Sequence, residues 1–227
     1  MKQTTLKMTT IMLLTFFGLI GCLSSEGQAE TATAQKEASS QFVEGKHYQE
    51  IFPEMNTNAA AGKIEVVELF WLGCPHCYTL EPTIKEFQKT KPGDVEFRQV
   101  PAVLNPQWSF HAKAFYTAQI LDPNNQKHLL DKLFKEVHEK NNRLNNANAL
   151  KTFFTSHGYS ETQFNNTFNS MALNASMSNA RTVSGASQAT SVPTIIINGK
   201  YRTSPYMAGG EANLVKIMNM LIQKERK

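Results

Sequence analysis

Cys74-Pro75-His76-Cys77 places two thiols three positions apart, where an apolar, β-branched run gives way to helical spacing. Both thiols can then sit on one side of a helix N-terminus, where unpaired backbone N–H groups and the positive dipole end favour thiolate over thiol. A stabilised thiolate favours the reduced pair and makes its disulfide a strong oxidant. His76 can add positive charge when protonated or donate a hydrogen bond when neutral. Other uses of the pair are weaker. Zinc needs two more ligands, and His47, His111, His128, His138 and His157 show no close metal-ligand spacing, so no metal is expected. Covalent haem needs histidine directly after the second cysteine, where Tyr78 stands. A purely structural disulfide would close too small a ring to stabilise much by loop entropy. The reading is a redox-active disulfide between Cys74 and Cys77 that needs no cofactor.

Glu68 stands six residues before Cys74, inside a strand whose two faces are otherwise apolar. Burying a carboxylate there is costly and should raise its pKa towards a value useful for proton exchange. The competing reading is a glutamate reaching water at the strand end, as expected for Glu65. Pro193 precedes an apolar strand; from the residues alone it is an ordinary strand-start proline.

The elements that must position these groups are legible. Residues 63–71 alternate Ile64, Val66 and Phe70 with Val67, Leu69 and Trp71, a central strand covered on both faces. Gly73 breaks it, Pro75 suits a first helical position, and Tyr78, Leu80, Ile84 and Phe87 carry a helix to about residue 89, with a kink expected at Pro82. Residues 94–100 form a second strand candidate. From about 105 to 185 the spacing is helical: Trp108, Ala112, Phe115, Tyr116 and Ile120 make one stripe, Leu130, Leu133, Phe134 and Val137 another, Leu150, Phe153 and Phe154 a third. Ser160 and Gln163 read as a capping box. Asn198-Gly199 between two short strand candidates, 194–197 and 200–203, is a strong hairpin signal, and Leu214, Ile217, Met218 and Leu221 close the chain with an amphipathic helix. The order is α/β with a helical insertion.

Residues 1–21 read as a signal sequence, with Lys2 and Lys7 ahead of a thirteen-residue apolar run, 8–20, that is too short to span a bilayer. Leu19-Ile20-Gly21-Cys22 resembles the bacterial lipoprotein box, which makes Cys22 the expected lipidation site and first mature residue. A signal cleaved later, after Ala29 or Ala34, is the alternative. Residues 22–41, rich in Ser, Glu, Ala, Thr and Gln, read as a lipid-anchored disordered tether with a reach of roughly 25 Å.

Composition supports this and excludes other classes. The chain has 227 residues, 41% hydrophobic and 19% charged, ordinary for a globular protein and too balanced for a multi-span membrane chain. Its net charge of +4 includes Lys2 and Lys7, leaving +2 after the leader, and the scattered Lys and Arg support no nucleic-acid partner.

Val66-Val67-Glu68-Leu69-Phe70, then Cys74-Pro75-His76-Cys77-Tyr78, then Val192-Pro193-Thr194 with Asn198-Gly199-Lys200-Tyr201 occur in an order that resembles the DsbA family of thiol:disulfide oxidoreductases, from about Phe42 onward. The resemblance implies a thioredoxin fold (42–104 and 186–227) with an inserted all-helical domain (105–185), and a task of introducing disulfides into exported proteins. It implies Cys74, Cys77, His76, Pro75 and Glu68 as catalytic residues, Glu68 acting on the second cysteine, and a cis Val192-Pro193 bond facing the dithiol where substrate binds. Implied partners are folding exported proteins with free cysteines and a membrane disulfide oxidase that reoxidises the dithiol. The expected location is the periplasmic side of the cell envelope, tethered to a membrane by lipid. The lipoprotein box departs from the soluble family member, and Leu23, where aspartate would resemble an inner-membrane retention signal, leans towards the outer membrane. Two alternatives remain open at this point: a reductase or isomerase of the same fold, and an envelope lipoprotein acting mainly as a binding or structural module.

Overall fold

The computed structural model describes residues 41–226; the expected signal sequence, the tether and Cys22 lie outside the described residues, apart from the tether's last position. A mixed sheet is built from β1 (Gln49–Glu50), β2 (Ile64–Phe70), β3 (Val95–Pro101), β4 (Thr194–Ile197) and β5 (Tyr201–Thr203), in the order β1-β5-β4-β2-β3. β2 runs parallel to β3, pairing Ile64 with Val95 through Phe70 with Pro101, and antiparallel to β4, pairing Glu68 with Ile195. A strand paired on both edges and covered on both faces is closed off from water along its length, and all seven residues of β2 are buried, Glu65 and Glu68 among them.

Helix α1 (Pro75–Thr90) crosses from β2 to β3 and runs on through Pro82. Five helices then form the insertion: α2 (Pro106–Leu121), α3 (Leu129–His138), α4 (Ala147–Ser156), α5 (Glu161–Phe168) and α6 (Met171–Ala186). Their starts follow local chemistry. Asn105, Asn146 and Ser170 accept from backbone N–H groups three residues on, and Ser160 and Gln163 form the expected capping box. After the β4–β5 hairpin come α7 (Pro205–Ala208) and α8 (Glu211–Glu225). Asn198 and Gly199 have φ of 50° and 68°, the positive pair a two-residue hairpin turn needs, and a Cβ on Gly199 would stand 2.3 Å from the Met55 carbonyl oxygen.

Two cores meet at the sheet. Ile64, Val66, Ile195 and Ile197 pack with Leu80, Ile84 and Phe87 of α1 and with Leu214, Ile217 and Leu221 of α8. On the other face Val67, Leu69, Val100 and Ile196 join the insertion through Phe115, Phe134, Leu150, Phe154 and Leu173. Phe70 meets Phe115 edge-on at 4.9 Å, so the end of β2 is gripped by α2; such pairs add roughly 0.5–1.5 kcal/mol beyond area burial.

Some expectations are corrected. Glu65 does not reach water: it is 4% exposed, Arg98 donates from Nε to its Oε1 at 2.7 Å, and the Asn58 backbone N–H donates to the same oxygen. The cation comes from neighbouring β3, which no local pattern reveals. Ile120 falls off its stripe and is 37% exposed. The edge strand β1 and the short helix α7 carry too few residues for a periodic signal.

Candidate active site

The turn from β2 to α1 sets the dithiol. Cys74 is the N-cap residue of α1, in extended geometry, and Pro75 takes the first helical position, where its missing N–H costs nothing. Cys74 and Cys77 are free thiols; Cys74 is 7% exposed and Cys77 fully buried. The Cys77 thiol donates to the Cys74 sulfur, and with the backbone N–H groups of Cys77 and His76 and a smaller field from His76 it outweighs burial and holds the Cys74 thiol down at about 6. Burial, reinforced by Cys74, pushes the Cys77 thiol up. The two thiols are thereby pulled apart, with the anion favoured on Cys74. His76 is exposed at the rim.

Pro193 approaches from the loop before β4. The Val192-Pro193 peptide bond is cis, and the Cys74 thiol donates to the Val192 carbonyl at 3.6 Å. Val192 and Pro193 also line a mainly apolar groove of about 500 Å³ with His76, Thr79, Pro205 and Tyr206, the last 95% exposed.

Glu68 lies beneath the dithiol, fully buried on the α1 face of β2. Burial above all, with the nearby Glu81 carboxylate, raises its pKa to about 8, against the hydrogen bond from Gln99. Gln99 of β3 stands opposite Glu68 in the ladder; its Nε2 donates to Glu68 Oε2 at 2.9 Å and to Glu81 Oε1 at 2.8 Å. Glu81 is also raised, mainly by burial, while Gln99 and Lys85 oppose the shift. Glu81 and Gln99 line a cavity of about 690 Å³ with Lys85 and Asp131, which are bridged at 2.7 Å. Glu68 is therefore linked through one amide to Glu81, a largely buried carboxyl that lines this cavity.

The insertion braces the same turn. His138 of α3 lies with Nε2 2.7 Å from the Leu72 carbonyl, so this nitrogen carries the proton, and its ring stacks on Tyr78 at 4.8 Å. Tyr78 in turn donates to Glu139.

A family model described as thioredoxin matches residues 53–210. The thiol:disulfide interchange protein DsbA of Pseudomonas aeruginosa is 36% identical over 185 residues, 82% of this chain and 86% of the relative. That of Pseudomonas syringae pv. tomato is 34% identical over 190 residues, covering 84% and 87%. The chain belongs to the DsbA family. The crystal structure of Pseudomonas aeruginosa DsbA superposes with a TM-score of 0.77, covering 83% of this chain and 96% of that one, and that of Xylella fastidiosa DsbA with 0.74 at 29% identity, covering 82% and 98%. This DsbA-family chain is a thiol:disulfide oxidoreductase with a thioredoxin fold and a helical insertion.

The structure brings Cys74, Pro75, His76, Cys77, Val192 and Pro193 together, with Glu68 beneath them. Gln99, Glu81 and His138 were missed from sequence. Glu81 carries a faint signal, falling one helical turn beyond Cys77 on the buried face of α1. Gln99 and His138 carry none, since strand register and helix docking place them.

Proposed function

We propose that the enzyme works as a dithiol oxidase on exported proteins, with Cys74 as the attacked and attacking sulfur and Cys77 as the resolving one. The observation that carries this reading is the opposite perturbation of the two thiols, anion-favouring at Cys74 and proton-holding at Cys77. In the oxidised enzyme a client thiolate attacks Cys74, the Cys74–Cys77 bond breaks, and Cys77 leaves as a thiolate that takes a proton. Glu68, protonated below about 8, is the proposed donor of that proton. A second client thiolate then attacks the client sulfur of the mixed disulfide. The client disulfide forms, Cys74 leaves as the stabilised thiolate, and two electrons have passed to the dithiol. The half-buried Val192 and the buried Pro193 line an apolar groove that can receive an extended client segment, which supports docking beside Cys74. A membrane disulfide oxidase is the proposed acceptor of the two electrons.

The proposed place of work is the periplasmic side of the envelope, with the chain anchored through lipid on Cys22. Lipidation also removes the one thiol that has no partner beside a thiol oxidant, since Cys22 is the third of three cysteines. Intact mass of the mature chain tests the anchor: an unmodified start beyond Cys22 would sink it without touching the exchange chemistry. For the enzyme, Cys77→Ala in cells should accumulate mixed disulfides with exported proteins on Cys74, and the wild-type pair should equilibrate with glutathione far to the reduced side. A pair that stays oxidised in that equilibrium would favour the reductase reading instead.

A further inference from the structure

Two buried polar atoms in the described chain lack partners and belong to residues lining one cavity. Trp71 Nε1 and His111 Nδ1 are both buried with no hydrogen-bond partner. Their residues line a cavity of about 380 Å³ together with Gly73, Val137, His138 and Arg143. This cavity shares no lining residue with the groove at Val192 and Pro193, and Gly73 puts it directly before Cys74 in the chain. Gly73 also permits it: a Cβ there would stand 2.3 Å from the Trp71 ring. That ring stacks on Trp108 at 4.8 Å and on His111 at 5.8 Å, which holds the two rings that carry the unpartnered atoms in a fixed relation.

Their chemistry is complementary. An indole N–H can only donate. His111 Nε2 lies 2.9 Å from the Arg143 carbonyl, which can only accept, so the ring proton is on Nε2 and Nδ1 presents a lone pair. Burial, His111 being 2% exposed, lowers its pKa and keeps that tautomer neutral. An unpartnered donor and an unpartnered acceptor on two stacked rings match a group carrying both functions in the opposite sense, and a peptide group does so with its C=O and N–H. Charge adds a second element. Arg143 is exposed, its guanidinium has no hydrogen-bond or ion-pair partner among the described residues, and no carboxylate lines the cavity. An acidic side chain next to the bound peptide group would complete it.

We propose that this cavity is a second client subsite, which takes a main-chain amide beside the reactive cysteine and prefers an acidic residue there. The inference rests on the thiol-exchange reading and extends it: clients would be read on both sides of Cys74, by apolar contact at Pro193 and by amide and carboxylate recognition at Trp71, His111 and Arg143.

The test uses thiol-free probes, so that redox chemistry does not enter. ¹⁵N-labelled mature protein in the reduced state is titrated with N-acetyl-glutamate N-methylamide and with the lysine counterpart, following the indole N–H resonance of Trp71, assigned with Trp108→Phe. The glutamate probe should shift that resonance saturably and bind about tenfold more tightly than the lysine probe, as expected for one charge-assisted hydrogen bond. Arg143→Glu, a change at an exposed position, should reverse the order. No saturable shift with either probe, or equal shifts indifferent to Arg143→Glu, would overturn the proposal and leave the cavity to solvent. Oxidation of dithiothreitol by the same protein reports on the exchange reading separately, so a silent Trp71 in an active enzyme sinks only the subsite.

Discussion

Gln99 donates from Nε2 to Glu68 Oε2 at 2.9 Å, while the other oxygen of that carboxyl, Oε1, is buried without a partner. One amide is a weak counterweight for a carboxylate taken wholly out of water, which is why the proton stays on up to about pH 8. A carboxylic acid neutral at working pH and within electrostatic reach of Cys77 suits the task of protonating a departing thiolate.

Glu68→Gln preserves shape and removes the titrating proton. Client oxidation should slow by roughly 10²-fold, the low end of general acid–base contributions, and the decline in wild-type rate above about pH 8 should vanish. A variant that keeps both the rate and the alkaline limb would remove Glu68 from the mechanism. Stability carries a second signature. The folded pKa lies above the unfolded value of 4.5, so native protein holds the extra proton and loses stability as pH rises from about 4.5 to about 8. Urea midpoints of the oxidised Glu68→Gln variant should be flatter over that window.

Gln99→Leu deletes the hydrogen bond that opposes the shift at Glu68. The alkaline inflection of the rate profile should move upward from about 8, with the thiolate titration of Cys74 nearly unmoved. If the inflection stays in place, the Gln99 contact does not govern Glu68.

Cys74 should titrate near pH 6 by thiolate absorbance in the reduced enzyme. Its leading cause is the Cys77 thiol, and the His76 field comes last, so Cys77→Ala should raise this value more than His76→Leu does. Each pKa unit corresponds to about 1.4 kcal/mol, or about 30 mV for a two-electron couple. The reverse order would make the histidine the main source of thiolate stability.

Reduced and oxidised forms should also diverge with pH. The folded Cys74 pKa is depressed from 9.0 to about 6, so its stabilisation is present above pH 9 and is lost as pH falls through about 6. Subtracting the oxidised melting curve removes what Glu68 contributes to both forms. The excess stability of the reduced form should therefore grow between pH 6 and 9, and a flat difference across that range would contradict the thiolate assignment.

Gly73→Ala drives a methyl into the Trp71 ring, with the nearest contact at 2.3 Å. Such overpacking costs typically about 1–3 kcal/mol. Trp71→Leu in the same chain should recover part of the loss in Tm, because the collision is with the ring and not with the backbone.

Features set by neighbours a few residues apart were legible in the amino-acid sequence alone: the apolar strand ahead of Cys74, Pro75 at the start of the helix, the Ser160–Gln163 capping box and the Asn198–Gly199 turn. Their physics is contained in each segment: side-chain periodicity, caps and permitted φ. Glu68 was legible too, because a carboxylate in an apolar strand is anomalous wherever that strand is buried. Only the tertiary structure decided which groups answer one another across the chain. The register of β3 against β2 sets Gln99 between Glu68 and Glu81 and brings Arg98 to Glu65. Docking of α3 brings His138 to the Leu72 carbonyl, 66 positions away, and closure of the sheet by β4 brings the Val192 carbonyl to Cys74 across 118 positions. Register and docking come from the summed burial of two cores, a property of the packed layers that no local segment carries.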